Sequence, residues 1–307
     1  MDKYELLMQS KKIRDFVNRY YNVSSCIMLL SEDEDILPYV ATLFAMRHVC
    51  DGPCLKCEKC KKILGGTSID FYQYPKYKNN ICTDDINEFV DSISKKPLEN
   101  DKKIYIFNKI ENATEESENK LLKSMEEFPT YVKLIFTSSN THGVLRTILS
   151  RVEVVRIPRF TFEEFKDILS GEENASGLSI DSIYSISSGN LFYGLKLLQD
   201  STVREVYENC LEILLKIDKK NIAGYSIQIN KNNLEEYIRM FTIIISKMIT
   251  SKTLNSGEYD LINFHYTIKA LADISNELEY SNKKIIANVN EQGIIDNLLI
   301  KIMEAKI

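Results

Sequence analysis

The sequence predicts an α/β core with a parallel sheet, followed by two all-helical segments. In the first 158 residues, short apolar runs alternate with amphipathic helical stretches, a pattern typical of a parallel sheet covered by helices. After Pro158 the periodicity is helical throughout. The length of 307 residues also exceeds the ~100–200 residues of one domain. We therefore expect a core over residues 1–158, a small helical segment over 159–201 and a larger one over 202–307.

Each core element has its own signal. Strands are bounded apolar or aromatic runs, and helices are stretches in which apolar residues share one face. The predicted strands are Cys26–Leu30, Ile69–Tyr74, Lys103–Phe107, Val132–Thr137 and Val152–Ile157. The predicted helices are Lys3–Tyr20, Ile36–Val49, one beginning near Thr83, Thr114–Glu127 and His142–Leu149. Beyond the core, Thr161 and Glu164 predict a capping box that begins the next helix.

Composition limits the class of protein. No basic, then apolar leader opens the chain, and no apolar run approaches the ~20 residues that span a bilayer. With 39 basic and 44 acidic residues the net charge is −5, so any contact with nucleic acid must be local or shared with a partner. We expect a cytoplasmic protein without membrane contact.

Four of the seven cysteines have the spacing of a metal site. Cys50, Cys54, Cys57 and Cys60 form a C-x3-C-x2-C-x2-C pattern. Two intervening residues let one tight turn present both thiolates to a tetrahedral ion. Four protein ligands leave no open coordination position, so the predicted zinc ion stabilises structure and does no chemistry.

Other interpretations of these cysteines remain open. An iron–sulfur cluster is the main alternative, because ferredoxins use related spacings. Disulfides are disfavoured in a reducing compartment and at such short separations. His48, two residues from Cys50, is a remote alternative ligand. We expect Cys26, Cys82 and Cys210 to be small apolar core residues.

The loop after the first predicted strand lacks the residues that bind nucleotide phosphates. A GxxxxGK[ST] loop would stand here, but Ser31–Pro38 has no glycine and no lysine, and Glu32–Asp35 are four consecutive carboxylates. Such charges repel a triphosphate. After the strand Lys103–Phe107, Asn108 and Lys109 stand where an acidic pair would hold magnesium. We therefore expect no bound ATP.

Several segments resemble the delta-prime family of bacterial clamp-loader subunits, which are relatives of the AAA+ ATPases. Asn119–Pro129 is similar to the family's NALLKxLEEPP stretch. Leu134–Asn140 with Thr147–Val152 resembles the segment from the sensor-1 strand to the Ser-Arg-Cys motif, with Val152 replacing the cysteine. The cysteine cluster lies where the family carries its zinc module, and Ala287–Ile300 is similar to the closing collar helix.

The resemblance implies a three-part fold whose nucleotide-binding motifs have been lost. It implies a degenerate AAA+ core of the P-loop type with a zinc module inserted at about residues 50–62. Residues 159–201 would form the helical lid, and residues 202–307 the collar that assembles with other subunits. Phe192 matches the position of the sensor-2 arginine of active members, which is a third departure from an ATPase.

The resemblance also implies a function. The chain would be a non-ATP-hydrolysing stator in the DNA polymerase III holoenzyme, where it helps load the sliding clamp on primed DNA at replication forks on the nucleoid. Arg151 would be an arginine finger that acts in trans on ATP bound by a neighbouring tau/gamma subunit. The expected partners are the tau/gamma and delta subunits and, indirectly, the clamp and primer–template DNA.

Two other functions remain open from the residues alone. One is an active ATPase with an unconventional nucleotide loop, and the other is a zinc-dependent nucleic-acid-binding protein that uses the lysines beside the cysteines. Arg151 also has a simpler interpretation as one half of a surface ion pair with a nearby carboxylate.

Overall fold

The apolar runs predicted as strands form a 5-stranded parallel sheet. This computed structural model describes residues 2–77, 80–176, 179–230, 232–254, 257, 259–286 and 290–306. The strands are β1 (Cys26–Leu30), β2 (Phe71–Tyr74), β3 (Lys103–Phe107), β4 (Val132–Ser138) and β5 (Glu153–Arg156). Their order is β2-β3-β4-β1-β5. Every residue of β1, β3 and β4 is buried, as expected for central strands with both faces covered.

Helices follow or precede each strand of this first unit, which comprises Met1–Gly171 with Asn190–Phe192. They are α1 (Lys3–Gln9), α2 (Lys11–Tyr20), α3 (Leu37–Val49), α4 (Glu58–Leu64), α5 (Thr83–Ile93), α6 (Glu115–Glu126), α7 (Arg146–Leu149) and α8 (Phe162–Leu169). A 3₁₀ turn, Ile110–Asn112, follows β3. The capping box predicted at Thr161 and Glu164 is confirmed, since each side chain bonds the other's backbone N–H.

The sequence-based boundaries differ from the structure by more than one residue at three places. The helix predicted over Lys3–Tyr20 is two helices, because the Ser10 hydroxyl accepts from the Ile13 N–H and starts a new helix there. The short helix predicted from His142 begins at Arg146, since the Asn140 side chain accepts the His142 N–H in a turn. The second strand begins at Phe71 rather than Ile69.

An aromatic row crosses the sheet and organises the core. Tyr74, Phe107 and Phe136 are directly paired across β2, β3 and β4. Their rings stack with centroids 5.1 and 5.3 Å apart, and Phe89 of α5 meets Phe107 edge-on at 5.3 Å. All four side chains have no exposed surface. Neighbouring strands are thus held in register by side-chain stacking as well as by the backbone ladder.

The second unit, Glu172–Gly189 with Tyr193–Ile307, is helical in its described residues. Its helices are α9 (Ile180–Ser187), α10 (Leu191–Gln199, whose first residues belong to the first unit), α11 (Ser201–Lys216), α12 (Ile222–Gln228), α13 (Leu234–Leu254), α14 (Asp260–Asn263), α15 (Ile268–Ile286) and α16 (Glu291–Glu304). Helix α13 packs against α11 and α15 through buried residues such as Phe241 and Met248. Within the described ranges, no helix is long and apolar enough to cross a bilayer.

The predicted fold class, a parallel α/β core followed by helices, is confirmed. The division into core, lid and collar at residues 158 and 201 remains a prediction. The collar segment Ala287–Ile300 falls partly outside the described residues at positions 287–289, and its remainder forms α16 after the Asn290 cap.

The aromatic row gives a stability prediction. Phe107→Ala should lower the free energy of unfolding by about 3–5 kcal/mol, because it removes a fully buried ring from between two others and leaves a cavity. Urea unfolding of the purified chain measures this. Leu98→Ala is the matched control, since Leu98 is 78% exposed and should change stability by less than about 0.5 kcal/mol. A loss below about 1 kcal/mol for Phe107→Ala would contradict the packing described.

Candidate functional site

The four cysteines converge around the turn that joins α3 to α4. Cys50 ends α3, Cys57 caps the start of α4 and Cys60 lies in the first turn of that helix. Between them, Leu55 has a left-handed backbone (φ 59°) that folds the loop back on itself. The four sulfur atoms all lie within 4.8 Å of one another. The residues predicted as metal ligands are therefore brought together.

Backbone N–H groups already favour negative charge at part of this cluster. The Cys57 N–H donates to Cys54 Sγ at 3.3 Å, and the Cys60 N–H points to Cys57 Sγ at 3.5 Å. The N–H groups of Cys57 and Lys56 lower the pKa of the exposed Cys54 to about 6. Burial raises the pKa of Cys60, so its thiol needs a cation to ionise.

The geometry fits a single tetrahedral ion. Zinc–sulfur bonds of ~2.3 Å give a tetrahedron whose edges are about 3.8 Å, and Cys54 Sγ and Cys60 Sγ are 4.0 Å apart. A multi-iron cluster would place iron and sulfide atoms between the thiolates and hold them further apart. His48, the remote alternative ligand, instead packs edge-on against the Tyr21 ring at 5.1 Å. Its burial lowers its pKa to about 4. The cluster is consistent with zinc.

A second group of charged residues lies at the carboxyl edge of the sheet. The loop between β1 and α3, residues Ser31–Ile36, is called the acidic loop below. Glu34 forms an ion pair with Lys109 after β3, with Oε2 and Nζ 2.9 Å apart. Glu32 forms an ion pair with Arg159 after β5. Because the strands are parallel, residues that follow β1, β3 and β5 meet at one edge, where nucleotide ligands of α/β folds bind.

Asp33 is held differently from the other carboxylates of the acidic loop. Its Oδ2 accepts the Leu191 N–H at 3.2 Å at the start of α10. Burial, followed by the neighbouring charge of Asp35, raises the pKa of Asp33 to about 6. The Ser31 hydroxyl accepts the Asp33 N–H at 3.1 Å and fixes the turn. The loop is therefore tied to three separate parts of the chain.

Asn108 and Lys109, the two residues that follow β3, are built into the sheet edge. Asn108 donates through Nδ2 to the Tyr74 carbonyl at 3.3 Å, and the Lys109 N–H donates to Thr137 Oγ1 at 3.1 Å. The ion pair with Glu34 raises the pKa of Lys109. Lys109 thus presents a cation to the acidic loop.

Phe192 and Arg151 occupy very different surroundings. Phe192 is buried and meets the Tyr39 ring edge-on, with centroids 4.9 Å apart. Arg151 is exposed and lies between α7 and β5, at the amino edge of the sheet. Its Nη1 donates to the Thr147 carbonyl at 3.1 Å and its Nη2 to Glu126 Oε1 at 3.2 Å.

Sequence reasoning identified the cysteines, the acidic loop and Arg151 but missed Arg159 and Glu126. No sequence signal points to Arg159, because it comes close to Glu32 only through the pairing of β1 with β5, in which Leu30 lies opposite Arg156. Glu126 lies three residues before the end of the motif segment Asn119–Pro129, and no sequence signal distinguishes it from Glu127 as the partner of Arg151.

Comparison with known proteins decides the family. The model of the family described as DNA polymerase III, delta subunit, matches residues 8–161, half of the chain. The chain belongs to this family. The match covers the first unit from α1 to the capping box, which includes the cysteine cluster, the acidic loop and Arg151.

Individual relatives agree with this assignment. The chain is 26% identical over 259 residues to the DNA polymerase III subunit gamma of Buchnera aphidicola subsp. Baizongia pistaciae, covering 74% of this chain and 70% of that protein. It is 21% identical over 269 residues to the DNA polymerase III subunit delta' of Bacillus subtilis, covering 82% and 81%. The match to a gamma/tau subunit of Mycoplasma genitalium spans only 25% of that protein's length. The resemblance to clamp-loader subunits of the delta-prime type is confirmed.

A solved structure supports the fold. A gamma subunit-related protein of Thermotoga maritima superposes with a TM-score of 0.58 at 18% identity, covering 95% of this chain and 98% of the other. At this identity the likeness concerns the fold alone.

The cysteine cluster gives a prediction about metal content. We expect the purified chain to hold one equivalent of zinc by inductively coupled plasma mass spectrometry, and Cys57→Ser to lose it and melt at a lower temperature. Cys26→Ala is the control, because Cys26 is a buried residue of β1 outside the cluster and should keep the zinc. Stoichiometric iron, or zinc that persists in Cys57→Ser, would overturn the assignment.

Proposed function

We propose that this chain is the non-ATP-hydrolysing stator subunit of a DNA polymerase III clamp loader and supplies Arg151 to ATP on a neighbouring subunit. The acidic loop is the observation that supports the absence of ATP hydrolysis by this chain. It stands where the nucleotide-binding members of such folds hold phosphates, and its carboxylates pair with Lys109 and Arg159.

Charge explains why such a loop disfavours ATP. A triphosphate placed beside Glu32 and Glu34 meets like charges. Asp33 also accepts the Leu191 N–H, one of the helix-start donors that phosphates use elsewhere. The lack of an acidic pair after β3 removes the usual magnesium ligands. These features together support a chain that binds no ATP and hydrolyses none.

The position of Arg151 supports action in trans. Arg151 precedes β5, whereas the acidic loop follows the parallel strand β1, so the two lie at opposite edges of the sheet. The four residues of β5 alone span about 13 Å. Arg151 therefore lies too far from its own chain's acidic loop to contact a phosphate bound there. An exposed, permanently cationic guanidinium at this edge is suited to a γ-phosphate presented by another subunit.

The remaining parts have supporting roles in this proposal. The closed zinc site stabilises the turn between α3 and α4 and takes no part in chemistry. The gamma/tau and delta subunits are the direct partners, and the sliding clamp and primer–template DNA are engaged through the complex. The assembly works in the cytoplasm, at replication forks.

Replacing Arg151 tests the proposal. In a reconstituted loader, Arg151→Ala should slow hydrolysis at the one ATP site it serves by ~10³–10⁵, the usual contribution of an arginine finger. Single-turnover phosphate release should then show one fewer ATP hydrolysed per complex in the fast phase. Arg151→Lys keeps the charge but loses the planar guanidinium. Its rate of ATP hydrolysis should lie between those of the wild type and of Arg151→Ala.

The control is Arg156→Ala. Arg156 is an exposed arginine on the edge strand β5 and forms no ion pair in the described part of the chain, so its loss removes the same charge without affecting the finger. Unchanged phosphate release in Arg151→Ala, with the complex intact by size-exclusion chromatography, would remove the finger role.

A further inference from the structure

The guanidinium of Arg151 is held by its own chain. Nη2 lies 3.2 Å from Glu126 Oε1, and Nη1 donates to the Thr147 carbonyl at 3.1 Å. Both terminal nitrogens, the atoms that a phosphate would engage bidentately, are therefore occupied. The Thr147 carbonyl lies in α7, immediately before Arg151, whereas Glu126 comes from the end of α6.

The backbones on both sides of the pair are fixed. Met125, next to Glu126, is 6% exposed, and Ile148, three residues before Arg151, is fully buried. Both belong to the same core cluster beneath the sheet. Contact between Arg151 and Glu126 can thus be made or broken by side-chain rotation alone, without moving α6 or α7.

The pair is exposed enough to open readily. The side chains of Arg151 and Glu126 are 37% and 62% exposed, and ion pairs of this kind are weak and screened by salt. A γ-phosphate carries more negative charge than one carboxylate and also binds the guanidinium through two oxygens. A neighbour's ATP would therefore displace Glu126 from Arg151.

We propose that Glu126 is a positioning residue that acts through Arg151: it holds the guanidinium at the amino edge of the sheet until a neighbour's ATP takes its place. This inference rests on the proposed arginine-finger function and adds a competing partner to it. While the carboxylate competes, each encounter with ATP must first break the pair, so Glu126 lowers the apparent affinity of the completed site for ATP.

Glu126→Gln in the reconstituted loader tests this. Removing the competing charge should lower the KM for ATP at the affected site by about twofold to fivefold, with kcat changed less; fivefold corresponds to about 1 kcal/mol, the upper range for an exposed pair. The difference from wild type should shrink as salt rises from 50 to 500 mM, since screening already weakens the pair. Glu126→Asp should restore part of the wild-type KM.

A matched control and a double variant separate the possible outcomes. Glu127→Gln removes the same charge one residue away, from an exposed side chain with no ion pair in the part of the chain that is described, and should leave KM unchanged. In an Arg151→Ala background, Glu126→Gln should have no effect on KM. If Arg151→Ala lowers phosphate release but Glu126→Gln and Glu127→Gln behave alike, the positioning role is wrong and the finger stands. If Arg151→Ala changes nothing, the finger itself is wrong, and this role fails with it.

Discussion

The negative charge of the acidic loop is the constraint on which the proposed function depends. A parallel sheet gathers at one edge the residues that follow its strands, and in this chain those residues neutralise one another: Glu34 with Lys109, and Glu32 with Arg159. The sheet that would support a nucleotide site is intact, with β1, β3 and β4 fully buried. In the proposed function, the residue that serves ATP lies elsewhere, at the opposite edge that carries Arg151.

Much of the fold could be predicted because its signals are local. The five strands are bounded apolar runs, and each was placed within two residues of its observed start. The errors arose where a polar side chain outweighed apolar periodicity, as when the Ser10 hydroxyl splits one predicted helix into two. Strand order could not be predicted, since it depends on pairing between segments far apart in the sequence.

In the candidate site, too, features formed by residues close in sequence could be predicted, whereas contacts between distant residues could not. The convergence of the four cysteines could be predicted, because they lie within eleven consecutive residues and one turn brings them together. The counter-ions of the acidic loop could not, because Glu32 and Arg159 are 127 positions apart and meet only through the register of β1 and β5. The pairing of Arg151 with Glu126 rather than Glu127 depends on side-chain direction at a helix end, which sequence alone does not determine.

The most direct test of the central claim is a count of nucleotides. The loader would be assembled from this chain with gamma/tau and delta subunits, given magnesium and a non-hydrolysable ATP analogue, and weighed by native mass spectrometry. We expect this chain in every complex and as many bound nucleotides as there are gamma/tau subunits. A further nucleotide that remains with this chain when the complex is dissociated in the gas phase would contradict the account, because it would show that the acidic loop leaves room for ATP.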